Sequence, residues 1–400
     1  MRFVRSPEIG ASRTGERRTT LPPGDRLGVL DGLRGFAILI VIWYHLWLVS
    51  GYVPLSGPLQ TIAENGFLGV DLFFFVSGFC ICYPYARARY ERSSRPPLRQ
   101  FVSRRAWKIL PSYLLALVVF GIAYHARFTG FVDESMQFVA HLAFVHVWFS
   151  PMFGSFSGPL WTLGVEVQFY VLFALAAPLI ERRPLVAYAV FVATSVVYRI
   201  ALVVFGVDND FGWVNQLPAV LDVFGAGMFG AFAFVQLRAE GGPQPKLAVC
   251  CTVLALGSIA FGLNAAAAAH SGGADSVLRW LNAWRITFGP VLMLFALGVA
   301  FGSPAMRYVV GLPALAWLSI VSYNAYLWNL EIVVALQGAG APGWIVFWLG
   351  AILTLTVAAA LTFGFERPLQ RGGFGRARAL LGRGGPPSLA SNGRRIARGM

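Results

Sequence analysis

Three titratable side chains lie deep inside apolar stretches of this 400-residue chain: His45, Asp71 and Glu166. An ionisable group buried at membrane depth is costly, faces a protein or water-filled interior, and by default marks function. An imidazole and carboxylates that share one cavity are groups able to take up and pass on a proton. Ser77 lies in the same stretch as Asp71, and Gln168 beside Glu166. Arg34 stands at the mouth of the segment that carries His45. The spacing from Arg34 to His45 corresponds to about 16 Å of helix axis. It is also about three full turns, so both side chains project from one stripe of one helix.

A second group of residues is basic. Phe101-Val102-Ser103-Arg104-Arg105-Ala106-Trp107-Lys108 places three cations at one end of an apolar run. With Arg34 at the same membrane face they form a phosphate clamp, because guanidinium groups suit bidentate contacts to phosphate and a Lys acts as a point charge. The competing reading of these cations is simple anchoring at the inner membrane face.

The elements that must hold these groups are membrane helices. The chain is 57% hydrophobic and 12% charged, outside ordinary soluble composition. Apolar runs at about 36–53, 67–85, 109–125, 159–180, 184–206, 213–237, 247–265, 285–302, 313–335 and 343–364 are long enough to cross a bilayer. The expected fold is all-α: a polytopic membrane helical bundle of about ten crossings. The connection Ala86–Lys108 holds Arg87, Arg89, Arg92, Arg95, Arg99, Arg104, Arg105 and Lys108, and marks the cytoplasmic side. Met136–Phe149 is apolar but too short to cross comfortably. Were it a crossing, the basic turns at Arg182-Arg183, Arg238, Lys246 and Arg307 would fall outside; taken as re-entrant or interfacial, they fall inside. Both termini are then cytoplasmic. In this orientation Asp71 and Glu166 enter from the outside, with Ser77 near the depth that His45 reaches from the other face.

Residues 1–29 are expected to be a disordered basic tail, 30–370 one membrane domain, and 371–400 a second disordered basic tail. The first span reads as an uncleaved helix, with no small-residue cleavage site after it. The net charge of +14 belongs to membrane edges and tails. It suggests contact with anionic lipid, and no basic-aromatic module for nucleic acid appears. Cys80, Cys82, Cys250 and Cys251 all lie in apolar runs and suggest neither a disulfide framework nor a metal site.

With these residues in view, the chain resembles the acyltransferase-3 family of integral membrane acyltransferases. The matching stretches are Leu30-Asp31-Gly32-Leu33-Arg34 with His45, and Gly69-Val70-Asp71-Leu72-Phe73-Phe74 through Ser77-Gly78-Phe79. They continue with Arg104-Arg105 through Pro111-Ser112-Tyr113, and Leu160-Trp161-Thr162-Leu163 with Glu166, Gln168, Phe169 and Tyr170. Last come Ser322-Tyr323, Tyr326-Leu327-Trp328 before Asn329, and Glu366-Arg367-Pro368. The order is kept over about residues 27–370. Three positions depart from the family pattern: Lys108 stands for a second Arg, Val167 for a second Glu, and Asn329 for a His.

The resemblance implies O-acyl transfer, acetyl above all, from cytoplasmic acyl-CoA to a hydroxyl of a polysaccharide, glycolipid, lipid-linked sugar or glycosylated natural product. Its functional Arg and His carry onto Arg34 and His45, and its acids onto Asp71 and Glu166. In that chemistry His45 is expected to be the base, with Asp71 or Glu166 orienting it or the acceptor. Arg34, Arg104, Arg105 and Lys108 are expected to hold CoA phosphates, and Ser77, Tyr113, Asn329 and Glu366 are further candidates. The alternative is a transporter or lipid flippase that uses the intramembrane charges as a relay.

Overall fold

The computed structural model describes residues 28–52, 56–302 and 304–372, and among these there is helix and turn but no strand. Both expected disordered tails lie almost entirely outside the described residues. In chain order the helices are α1 (Gly28–Ser50), α2 (Pro58–Glu64), α3 (Gly69–Tyr90), α4 (Leu98–Ala123), α5 (Phe131–Leu142), α6 (Trp161–Arg182) and α7 (Pro184–Val204). There follow α8 (Phe211–Val214), α9 (Leu217–Ala239), α10 (Pro245–His270), α11 (Gly273–Phe301), α12 (Pro304–Val310), α13 (Pro313–Gly338) and α14 (Gly343–Leu361). Nine helical segments among the described residues are long and apolar enough to cross a membrane, and the bent pair α12–α13 makes a tenth. The ten expected crossings and these ten segments correspond one to one.

The bundle is built as a membrane protein must be. Ile122, Leu175, Val204, Leu254 and Ile352 turn outward, where lipid rather than water is the solvent. Polar side chains such as Asp71, Ser77, Arg199, Asp222, Asn324 and Glu366 turn inward. Helices come together through small residues. A Cβ at Gly35 would lie 2.1 Å from the Leu315 carbonyl oxygen, so only glycine lets α1 press against the start of α13. A Cβ at Gly227 would lie 1.9 Å from the Phe75 carbonyl oxygen, which locks α3 to α9 in the same way. These two contacts fix the walls of the polar interior.

The ambiguous run at 136–149 does not form a span. Its helix, α5, has 12 residues, about 18 Å of axis, short of the roughly 30 Å of bilayer hydrocarbon. Val132, Met136 and Val139 form an exposed apolar stripe, while Gln137, Ala140 and His141 face inward. That is the pattern of a helix lying along an interface. Short 3₁₀ turns at His146–Trp148, Ser150–Met152 and Gly158–Leu160 then lead the chain into α6.

Two helices start well before their expected boundaries: α11 at Gly273 and α4 at Leu98, of which α4 bears on the site. Its helix begins at Leu98, not near Ile109, because Arg and Lys are good helix formers and do not interrupt it. Arg104, Arg105 and Lys108 therefore project from the helix interior, not from a loop.

Candidate active site

On α3 and α6, Ser77 and Glu166 meet. The Ser77 hydroxyl donates to Glu166 Oε1 at 2.6 Å, and the Tyr170 hydroxyl, one turn further along α6, donates to the same oxygen at 2.5 Å. Arg105 Nη1 lies 3.4 Å from the Tyr170 oxygen. Its guanidinium covers the Tyr170 ring at 5.2 Å and the Phe101 ring at 6.0 Å. Glu166 also lies within electrostatic reach of Arg105. One polar chain thus runs from the basic face to the middle of the bundle.

A second chain starts at Lys108, whose ammonium is paired with Glu366. Glu366 is 1% exposed and closes a π-helical turn, Thr362–Glu366, that follows α14. The wider turn rotates the carboxylate inward, as such turns often do at functional sites. There it also accepts from Asn324 Nδ2 at 2.7 Å and from Gln370 Nε2 at 2.8 Å. Lys108 lies over the Tyr323 ring at 5.3 Å, and Tyr323 donates to the Ile109 carbonyl at 2.7 Å. Arg34 and Arg367 lie within electrostatic reach of Lys108.

His45 meets α13. Its Nδ1 is hydrogen-bonded to Oδ1 of Asn329. The orientation of that amide is set by its other end, since Asn329 Nδ2 donates to the carbonyls of Ala325 and Tyr326 at 2.8 Å each. Turning the amide over would set its oxygen against two carbonyl oxygens. The amide oxygen only accepts, so Nδ1 of the neutral ring carries the proton and Nε2 carries the lone pair. Tyr326, whose carbonyl helps hold Asn329, lies within electrostatic reach of Glu166.

Asp71 is placed elsewhere. Arg285 Nε donates to its Oδ1 at 2.9 Å and Nη2 reaches Oδ2 at 3.4 Å, with both side chains almost fully buried. Arg285 also donates to the Val214 carbonyl at 2.7 Å and to Asn215 Oδ1 at 3.0 Å. A second buried pair, Arg199 with Asp222 at 2.7 and 2.8 Å, lies within electrostatic reach of the first. The group that orients His45 is therefore Asn329; Asp71 is tied to Arg285 and Glu166 to Ser77 and Tyr170.

The remaining candidates divide. Tyr113 is fully buried and donates to the His141 carbonyl at 3.0 Å, tying α4 to the interfacial segment. Arg104 is exposed, apart from the partly buried Arg34, Arg105 and Lys108. The four expected phosphate ligands thus form an inner group of three and one outer cation. Among the described residues no group of three or more His, Cys, Asp or Glu is placed to hold a metal.

The buried charges Arg199, Asp222 and Arg285 are not among the intramembrane groups that the sequence singles out. The signal was available, since Arg199 and Asp222 interrupt otherwise apolar runs.

A family model described as an acyltransferase domain matches residues 27–363. The chain belongs to the acyltransferase-3 family. Among curated proteins it is similar to the O-acetyltransferase OatA of Staphylococcus aureus (strain NCTC 8325 / PS 47), 25% identical over 369 residues, which cover 86% of this chain and 57% of the relative. It is also similar to the putative O-acetyltransferase SACOL0978 of Staphylococcus aureus (strain COL), 24% identical over 371 residues with the same coverage, 86% and 57%. The chain therefore spans little more than half the length of the curated relatives it matches. No solved structure matches it.

Proposed function

We propose that this protein is a multi-pass membrane O-acyltransferase that moves an acyl group, acetyl above all, from cytoplasmic acyl-CoA to a hydroxyl of a carbohydrate, lipid-linked sugar or glycosylated natural product. The observation that carries the reading is the His45–Asn329 hydrogen bond. It leaves Nε2 as the basic nitrogen inside a family of acyltransferases. The orientation follows from the Arg-rich connection between α3 and α4, which belongs on the cytoplasmic side.

In the proposed reaction Nε2 of His45 takes the proton of the acceptor hydroxyl as its oxygen attacks the thioester carbonyl carbon. Negative charge gathers on the former carbonyl oxygen, and a preorganised donor there lowers the barrier. Arg105, stacked on Tyr170 and Phe101 and within electrostatic reach of Glu166, is the cation we assign to that oxygen. The carbon–sulfur bond then breaks, and the imidazolium returns its proton to the departing CoA thiolate. Direct transfer suffices, with the Ser77 hydroxyl donating a hydrogen bond to Glu166 and holding that carboxylate in place. Arg34 and Lys108 hold donor phosphates, with Glu366 and Asn324 keeping the Lys108 ammonium in place.

Mass spectrometry of surface glycans, lipid-linked sugars and secreted metabolites, from cells with and without the gene, tests this reading. An acyl group lost with the gene, and restored by purified protein supplied with acyl-CoA, is the expected result. Identical spectra, together with no acceptor-dependent CoA release by the purified protein, would reject it.

A further inference from the structure

Beside the polar chains described above, the Arg-rich face holds a separate cavity of about 410 Å³. It lies between the end of α3, the connection that follows, and the end of α6; Ala88 and Tyr85 line it together with Arg89, Ser93, Arg95, Glu181 and Arg182. Three guanidinium groups converge on one opening. Arg89 donates to the Glu181 carbonyl and Arg95 Nη1 stands 3.6 Å from Glu181 Oε1, so two of the three are held in place. Each guanidinium has five N–H donors, and these contacts leave most of them for a ligand.

The second observation is Tyr85. Its side chain is 3% exposed, it lines the cavity, and its hydroxyl has no hydrogen-bond partner. Glu181 Oε1 is likewise buried without a hydrogen bond. Buried polar atoms are nearly always paired, and the open Tyr85 hydroxyl, with a Glu181 oxygen held only by the 3.6 Å ion pair to Arg95, is what a polar ligand would satisfy. The ligand must offer anionic oxygens for the arginines and a hydrogen-bond donor for Glu181.

An aromatic wall joins this cavity to the reaction site. The Tyr85 and Phe173 rings are 5.3 Å apart, the Phe173 and Phe101 rings 5.1 Å, and Arg105 caps Phe101 at 6.0 Å. These packed rings run from the cavity toward Arg105, which places the cavity on the side of the bundle that holds the Arg105–Tyr170–Glu166 chain.

We propose that the cavity bounded by Tyr85, Arg89, Arg95, Glu181 and Arg182 binds the 3′-phosphorylated adenosine end of the acyl-CoA donor. The arginines and the Tyr85 hydroxyl take the phosphate oxygens, and Glu181 accepts from the amino or hydroxyl groups of the nucleoside. This rests on the acyl-CoA reading given above. The same anionic chemistry is found in phospholipid headgroups, so the test separates the two sources.

The full chain is reconstituted in nanodiscs of phosphatidylcholine alone or with phosphatidylglycerol. Acceptor-dependent CoA release is measured with acetyl-CoA and with acetyl-3′-dephospho-CoA. Wild-type protein is expected to show a KM about tenfold higher for the dephospho donor, the worth of one charge-assisted contact. Arg95→Gln and Tyr85→Phe should raise KM for acetyl-CoA, leave kcat near wild type and shrink the tenfold preference to about twofold or less. Adenosine 3′,5′-bisphosphate should compete with acetyl-CoA in wild type and lose this ability in Arg95→Gln. Arg95 is half exposed on a connection, and Tyr85→Phe removes one oxygen, so both variants are expected to fold. Turnover with acetyl-CoA that ignores the 3′-phosphate, or an unchanged preference in both variants, would overturn the nucleotide subsite and leave the proposed activity standing. A preference present in phosphatidylcholine and lost in phosphatidylglycerol, with lipid phosphorus retained only by wild type, would reassign the cavity to a headgroup. No use of any acyl-CoA by wild type would reject the activity and the subsite together.

Discussion

Asn329 and His45, 284 positions apart in sequence, are joined by a hydrogen bond that fixes which imidazole nitrogen carries the proton. The amide is held at its other end by two carbonyls of α13, so it acts as a rigid acceptor. A ring so anchored is both oriented and held in one tautomer, the part a carboxylate plays in hydrolytic triads.

Removing that acceptor should slow the chemistry without abolishing it. Asn329→Ala is expected to lower kcat about tenfold, the cost of one orienting hydrogen bond, with KM for acyl-CoA little changed. Steady-state CoA release on purified protein checks this. A rise in KM alone would place Asn329 in binding.

The cations divide by burial, and their variants should divide too. Neutralising Arg34 or Lys108 singly is expected to raise KM for acyl-CoA about tenfold or more, whereas Arg105→Gln is expected to lower kcat about tenfold or more. Arg104→Gln, at an exposed position, should have a smaller effect that moderate salt removes in wild type. Equal, salt-insensitive effects at all four positions would contradict this division.

Asp71 is expected to act through the fold. Removing one partner of a buried pair costs about 3–5 kcal/mol, whereas replacing both with apolar residues is often neutral. Asp71→Leu should therefore lower the yield of monodisperse protein and its unfolding temperature, and Asp71→Leu combined with Arg285→Met should recover both. Activity should return with stability. A stable but inactive double variant would show that Asp71 takes part in the reaction.

Much of this arrangement was legible in the sequence because buried charge is costly: His45 and Glu166 stand out in apolar runs whatever the fold. Arg199 and Asp222 obey the same rule, and only weighing them against the other charges in the same way would have revealed them. Other features needed coordinates. Asn329 is an ordinary polar residue until α1 packs on α13 and brings His45 to it. Glu366 sits at the end of an apolar span, and only the π-turn aims it at Lys108. The start of α4 was placed late because an Arg-rich segment at a membrane edge reads equally well as loop or helix.

The interfacial segment should make stability depend on pH. The rings of His141 and His146 stack at 3.8 Å between centroids, fully buried. Burial lowers the His141 imidazole to about 4, and burial together with the His141 neighbour lowers His146 to about 3. Unfolded, both would titrate near the ordinary value of about 6.5. The unfolded chain then binds more protons below that value, so the contribution is full above pH 6.5 and is lost as pH falls toward 4. The unfolding temperature of wild type is expected to fall over that window, and that of His146→Phe to fall less. Parallel curves for the two proteins would remove the histidine pair as the cause.

The central claim is that Nε2 of His45 takes the acceptor proton, and His45→Gln tests it most directly. Glutamine keeps a hydrogen-bonding side chain at that position of α1 but has no basic nitrogen. A positioned general base is worth about 10² to 10⁴ in rate. The measurement is acceptor-dependent CoA release by the purified variant, with acyl-CoA binding and thermal unfolding recorded on the same sample. We expect turnover to fall by about that factor while binding and unfolding temperature stay near wild type. Turnover within a few-fold of wild type would contradict the assignment and move the base to Glu166.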